Sequence, residues 1–123
     1  MMTNAINWFE IPATDFQRAV KFYGAIFETS LQHVQMDGFD MGMFPYKEGE
    51  GVGGAVVTGE GYEPTTTGAV LYLNGGNDLN DVLNRVESAG GKILSPKFSI
   101  GENGFCAFFV DSEGNKVGLH SMN

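Results

Sequence analysis

Apolar and polar positions along this chain follow two rhythms, one of period two that marks strands and one near 3.6 that marks helices. Residues Ile6 to Ile11, Ile-Asn-Trp-Phe-Glu-Ile, predict a strand that Pro12 ends by withholding a backbone donor. Thr14 and Asp15 are cap-type residues, and Phe16, Ala19, Val20, Phe22, Tyr23, Ile26 and Phe27 then recur at helical spacing. Leu31 to Met36 and Phe39 to Phe44 read as strands around Asp37-Gly38, a dipeptide suited to a two-residue hairpin turn. A polar, glycine-rich loop from Pro45 to Gly51 leads into a small-residue strand, Val52 to Val57, and Gly59 to Thr67 reads as a connector.

The order then starts again. A strand is predicted at Ala69 to Leu73, then a turn at Gly75-Gly76, then a helix capped near Asn77 or Asp78 with Leu79, Val82, Leu83 and Val86 on its apolar side and Gly90-Gly91 as its stop. Three strands follow, at Lys92 to Phe98, Phe105 to Val110 and Lys116 to Leu119. Trp8 to Asp15 lies over Leu71 to Asp78 with an aspartate at each helix start, and a fourth strand carrying Gly54 matches, more loosely, one carrying Gly118. The expectation is an α+β fold of two tandem βαβββ modules, about residues 5–58 and 68–120, in one domain covering residues 1–123. A half of this size cannot bury its sheet alone, so the halves should pair around a shared cleft.

Composition narrows the function. With 123 residues and 42% hydrophobic content the chain can bury one real core. No apolar run approaches the roughly 20 residues that cross a bilayer and no leader pattern opens the sequence, so a soluble, cytoplasmic protein with no membrane partner is expected. The formal charge of −8 repels phosphate backbones and makes nucleic acid a poor partner. The same charge would attract a cationic ligand, although solubility alone also accounts for it. The lone Cys106, inside an apolar run, excludes an intramolecular disulfide and the multi-cysteine zinc sites and reads as a small buried hydrophobe.

Phe9-Glu-Ile-Pro12, Asp15, Arg18-Ala19, Phe22-Tyr23, Gly90-Gly91 and Asp111-Ser-Glu-Gly-Asn115 together resemble the vicinal-oxygen-chelate superfamily, which includes glyoxalases, bleomycin-resistance proteins and dioxygenases. The resemblance covers essentially the whole chain, and within the superfamily it is nearest to small bacterial proteins described as lactoylglutathione-lyase-related. It implies paired βαβββ modules forming curved, partly open mixed sheets around a ligand cleft, a small-molecule ligand and frequently a homodimer. In metal-using members it implies a divalent cation held by four side chains, one from the first and one from the fourth strand of each module. Counting seven residues back from Asp15 and from Asp78 puts Trp8 and Leu71 at two of these positions, and the other two fall at or near Gly54 and Gly118. Indole, isobutyl and hydrogen offer no lone pair to such a cation. Neither metal nor other cofactor is therefore expected.

With those positions vacated, side chains on the same strand faces become the candidates, since residues two apart point to one side. Trp8 and Glu10 share a face, as do Leu71 with Leu73, and Gly118 with His120. Trp8 could stack a planar or cationic ligand or simply fill space. Glu10 could act as a base or as the counter-charge for a cation, or be a structural carboxylate bonded to backbone or paired with Arg18 or Lys21. His120, the best acid/base candidate, stands near the chain terminus, where fraying would leave it exposed. Met41 and Met43, with Met36, could line an adaptable pocket, though ordinary core packing is favoured for them, and Tyr46 and Tyr62 could form its rim or simply stand in loops. His33 is expected to face solvent. The favoured reading is a metal-independent small-molecule-binding protein that sequesters its ligand at Trp8, Glu10, Met41, Met43, Leu71, Leu73 and His120. The alternative is a metal-free isomerase or lyase acting on a carbonyl compound through Glu10 or His120.

Overall fold

The computed structural model describes residues 4–123. Its elements run β1 (Trp8–Pro12), α1 (Phe16–Phe27), β2 (Gln32–Met36), β3 (Phe39–Met43), β4 (Gly53–Thr58), β5 (Tyr72–Asn74), α2 (Asn80–Leu83), α3 (Val86–Ala89), β6 (Lys92–Ser99), β7 (Phe105–Val110) and β8 (Lys116–Ser121). They form two open four-stranded mixed sheets, ordered β1-β4-β3-β2 and β5-β8-β7-β6. In each, the first strand lies parallel to the fourth and the remaining pairs are antiparallel. The tandem βαβββ architecture expected from the sequence is thus the architecture observed.

Helix α1 forms where its apolar spacing predicts. Asp15 caps it by accepting the Arg18 N–H at 3.1 Å, and Ala19, Phe22, Tyr23 and Ile26 are buried along one stripe. The first hairpin turns on Asp37 and Gly38, both at positive φ (47° and 84°), the twist that a two-residue connection between right-handed strands needs.

The second module departs from expectation in three places. Its first strand begins at Tyr72, not Ala69, and its last runs on to Ser121. Its helix is broken into α2 and α3, because the Arg85 N–H bonds Val82 O, three residues back, and so tightens the turn. The Arg85 guanidinium meanwhile reaches across to Ile26 O at 2.7 Å and to Glu28 at 3.0 Å, closing the C-terminal end of α1.

The core draws on both modules. Ile11 and Val56 from the first sheet, Leu73, Ala107, Phe109, Val117 and Leu119 from the second, and the buried stripes of the helices make one cluster. The modules are also joined by polar contacts at the turn Asp111-Ser-Glu-Gly-Asn115. Asp111 accepts from the buried Tyr23 hydroxyl at 2.7 Å and from the Glu113 and Asn115 N–H groups, while Asn115 Nδ2 donates to Pro12 O at 2.7 Å. Glu113 accepts the Thr14 and Asp15 N–H groups at 2.9 and 2.8 Å and pairs with Arg18 at 2.6 Å. Burial alone would raise the Glu113 pKa, but Arg18 and the two backbone donors outweigh it and hold the carboxyl below its usual range. The Tyr23 hydroxyl is pushed well above its ordinary pKa, first by burial and then by the Asp111 charge.

Candidate functional site

Packing of Phe9, Ile11 and Val56 into the core fixes which way the other side chains of the first sheet face. In register across that sheet, Glu10 lies beside Ala55, and Ala55 beside Met43; Pro12 lies beside Val57, and Val57 beside Met41; Trp8 lies beside Gly53. The face turned away from the helices therefore brings together Trp8, Glu10, Met41 and Met43, four of the residues singled out in the sequence. Their shared face follows from strand parity, and the step across strands follows from register.

Glu10 is the chemical centre of this face. Its Oε1 accepts the Tyr62 hydroxyl at 2.5 Å, and its Oε2 lies 3.4 Å from the Trp8 indole N–H. The Tyr62 bond ties the 59–67 connector over the sheet, and that bond, more than partial burial or the Glu10 charge, raises the Tyr62 pKa. Tyr46 packs edge-on against Trp8 with ring centroids 6.3 Å apart, and Phe39 edge-on against Tyr62 at 5.5 Å. Both tyrosines thus border the Glu10 face. Arg18, one of the partners considered for Glu10, instead belongs to Glu113.

The equivalent face of the second sheet carries different chemistry. Tyr72 lies in register with Gly118, and Asn74 with His120; His120 also lies beside Cys106, and Gly118 beside Phe108. Tyr72 and Phe98 both pack on Phe108, at 5.6 and 6.0 Å, and the Lys116 ammonium sits over the Phe108 ring at 4.8 Å. His120 is held within the β8 ladder rather than at a fraying end, with Nε2 2.6 Å from Asn103 O. Cys106 is buried, as expected. His33, expected in solvent, is half-exposed on the helix side, paired with Asp40 at 2.8 Å and set against Phe16.

Leu71 and Leu73 do not share the His120 face. Leu73 is 8% exposed and lies in register with the core residue Leu119, and Leu71 packs against the same cluster. Both line an apolar groove of about 730 Å³ with Phe9, Phe27 and Phe44. The expected pairing of Trp8 with Leu71 is off by one because the helix starts differ. Asp15 is itself the cap of α1, whereas Leu79 occupies that position for α2, and Asp78 acts one residue earlier by accepting the Asn80 N–H at 2.9 Å. Counted from Leu79, the residue matching Trp8 is Tyr72. By the same register Gly53, not Gly54, matches Gly118. Tyr72 was missed for this reason, and Phe98, Phe108 and Lys116 gather with it only through register and packing across strands.

A family model, the Glyoxalase/Bleomycin resistance protein/Dioxygenase superfamily, matches residues 5–119. The chain belongs to that superfamily. Among relatives, CFP32 of Mycobacterium tuberculosis, named as a glyoxylase, is 27% identical over 123 residues, covering 95% of this chain and 45% of its own length. The chain thus spans less than half the length of that relative. Among solved structures, a glyoxalase/bleomycin resistance protein from Albidiferax ferrireducens T118 superposes with a TM-score of 0.70 at 18% identity, over 94% of this chain and 98% of that one. Glyoxalase I from Zea mays superposes at 0.67 with 22% identity, over 93% of this chain and 44% of its own. At such identities the likeness speaks for the fold.

Metal-using glyoxalase-superfamily proteins draw ligands from the first and fourth strands of each module, and here the registered positions hold Trp8, Gly53, Tyr72 and Gly118. An indole, a phenol and two hydrogens do not fit a divalent cation's need for carboxylate or imidazole donors. Among the described residues, no three His, Cys, Asp or Glu side chains gather where they could hold a metal ion.

Proposed function

We propose that this glyoxalase-superfamily chain is a metal-independent small-molecule-binding protein that sequesters its ligand on the Trp8, Glu10, Met41 and Met43 face. The observation that carries the reading is the joining of these four side chains with Tyr62 on one helix-free face whose chemistry is aromatic, thioether and carboxylate. Such a surface can hold an organic molecule by dispersion and orient it with one polar anchor.

The functional unit in this reading is a homodimer, each chain a single domain. The second sheet's outer face leaves Tyr72 52% and Phe98 39% exposed, and the apolar groove runs along β1 and β5, which are both edge strands. A second copy would cover these edges and close one chain's Glu10 face with the other's Tyr72 face. A dimer would also match the roughly doubled length of CFP32. The buried free thiol of Cys106 and the absence, among the described residues, of any helix long and apolar enough to cross a membrane accord with a cytoplasmic setting.

The bond between the Tyr62 hydroxyl and Glu10 favours a second reading, a metal-free isomerase or lyase of a carbonyl compound. There Glu10 would move the proton, with His120 of the other sheet as its counterpart.

Calorimetry and metal analysis of chelator-treated protein, joined to sedimentation, test the first reading. No divalent metal retained or taken up and a dimeric mass are expected; one tightly held metal per chain would overturn the metal-free assignment, and a monomer at all concentrations the dimeric cleft. Glu10→Gln separates the two readings, since it abolishes turnover if Glu10 is a base.

A further inference from the structure

Glu10 differs in its surroundings from the carboxylates that form ion pairs. Glu113 has Arg18, Glu28 has Arg85, Asp78 has Lys97, Asp40 has His33 and Glu50 has Lys47. No cationic side chain among the described residues lies within ion-pair distance of Glu10. Lys116 lines the same cavity of about 340 Å³, but its ammonium rests on the Phe108 ring. The partners of Glu10 are both aromatic donors, one on each carboxylate oxygen.

The rings around Glu10 form two corners. Trp8 and Tyr46 meet at 73°, and Phe39 and Tyr62 at 71°, so each pair presents ring surfaces nearly at right angles. Glu10 bonds one ring of each pair and therefore stands between the corners. A carboxylate with no cationic partner among the described residues attracts positive charge, and the four rings gathered beside it supply apolar surface against which the substituents of a cation can rest.

The type of cation follows from what the corner lacks. A hard divalent ion needs six or more oxygen ligands and gives up its water reluctantly, and a single carboxylate with two phenols cannot replace that shell. An alkylammonium ion spreads its charge over methyl or methylene groups, and these can rest against rings while the carboxylate neutralises the centre. We propose that the Trp8–Glu10–Tyr46–Tyr62 corner, bounded by Phe39, binds the organic ammonium group of the ligand. This rests on the reading of the first sheet's open face as the ligand site and specifies which part of the ligand it takes.

Trp8 is the only tryptophan, so its emission reports on this corner alone. The full-length protein would be titrated with choline, with its neutral isostere 3,3-dimethylbutan-1-ol and with magnesium chloride at constant ionic strength. The expected result is a saturable change in Trp8 emission with choline, binding about tenfold or more weaker for the alcohol, and none with magnesium beyond the salt control. Glu10→Gln should weaken choline about tenfold and leave the alcohol unchanged, and Tyr46→Ala should weaken choline several-fold; matching thermal midpoints confirm that both variants fold. Equal affinity for choline and alcohol, or undiminished choline binding in Glu10→Gln, overturns the ammonium assignment while leaving the face as a binding site. No response to either organic probe overturns the assignment too, and if one metal ion per chain is tightly held, the metal-free reading falls with it.

Discussion

The outer faces of the two sheets occupy one frame. Trp8 stands beside Gly53 as Tyr72 stands beside Gly118, and β4 and β8 each lie between an edge strand and a third strand. Yet one face centres on a carboxylate and thioethers, and the other on Lys116, His120 and three packed aromatic rings. The inner faces, by contrast, are alike in kind, all aliphatic and aromatic. Burial constrains the inner faces to one chemistry, whereas the outer faces, less bound by that constraint, differ in theirs.

The largest expected effect sharpens that contrast within a single strand. Phe109 is fully buried, and Phe108 points the other way. Phe109→Ala should cost about 3–5 kcal/mol in urea unfolding, and Phe108→Ala only about 1 kcal/mol. Comparable losses for the two would mean that the outer face is structural.

The joint between the modules comes next. Glu113→Gln should destabilise by about 2–3 kcal/mol at neutral pH, since it weakens an ion pair and two bonds to backbone N–H groups. The sign follows from the depressed pKa. Stability from the ionised carboxylate is present above the ordinary glutamate range and is lost as pH falls through the lower native value. Wild type and variant should therefore converge in acid, and a difference that persists there would point to packing instead of charge.

The smallest effects compare glycines. A Cβ on Gly54 would strike the core-packed Phe9 ring, so Gly54→Ala should cost about 1–3 kcal/mol. On Gly118 it would come within 2.7 Å of the Tyr72 ring, which is half-exposed and can swing away. Gly118→Ala should stay within about 0.5 kcal/mol in thermal unfolding.

Much of this was legible in the sequence. Periodicity located α1 and β7, the Asp37-Gly38 turn located the first hairpin, and strand parity placed Trp8 with Glu10. Most of what remained hidden depended on contacts distant in sequence. The break between α2 and α3 accompanies the reach of Arg85 to Ile26 and Glu28, and a one-residue difference in helix capping decided whether Leu71 or Tyr72 faced outward. The partner of Glu10 lay 52 residues away in a connector where composition indicated only a loop.

The clasp of Glu113 on the start of α1 also bears on how the chain is made. Thr14 and Glu113 are 99 residues apart, so during synthesis the first helix emerges from the ribosome long before the carboxylate that anchors its leading end has been translated. The N-terminal module must wait, with its apolar stripe only partly covered, and its maturation is coupled to the arrival of the last turn. Truncation just before Asp111 would therefore do more than shorten the second sheet: it would leave the first module without its latch.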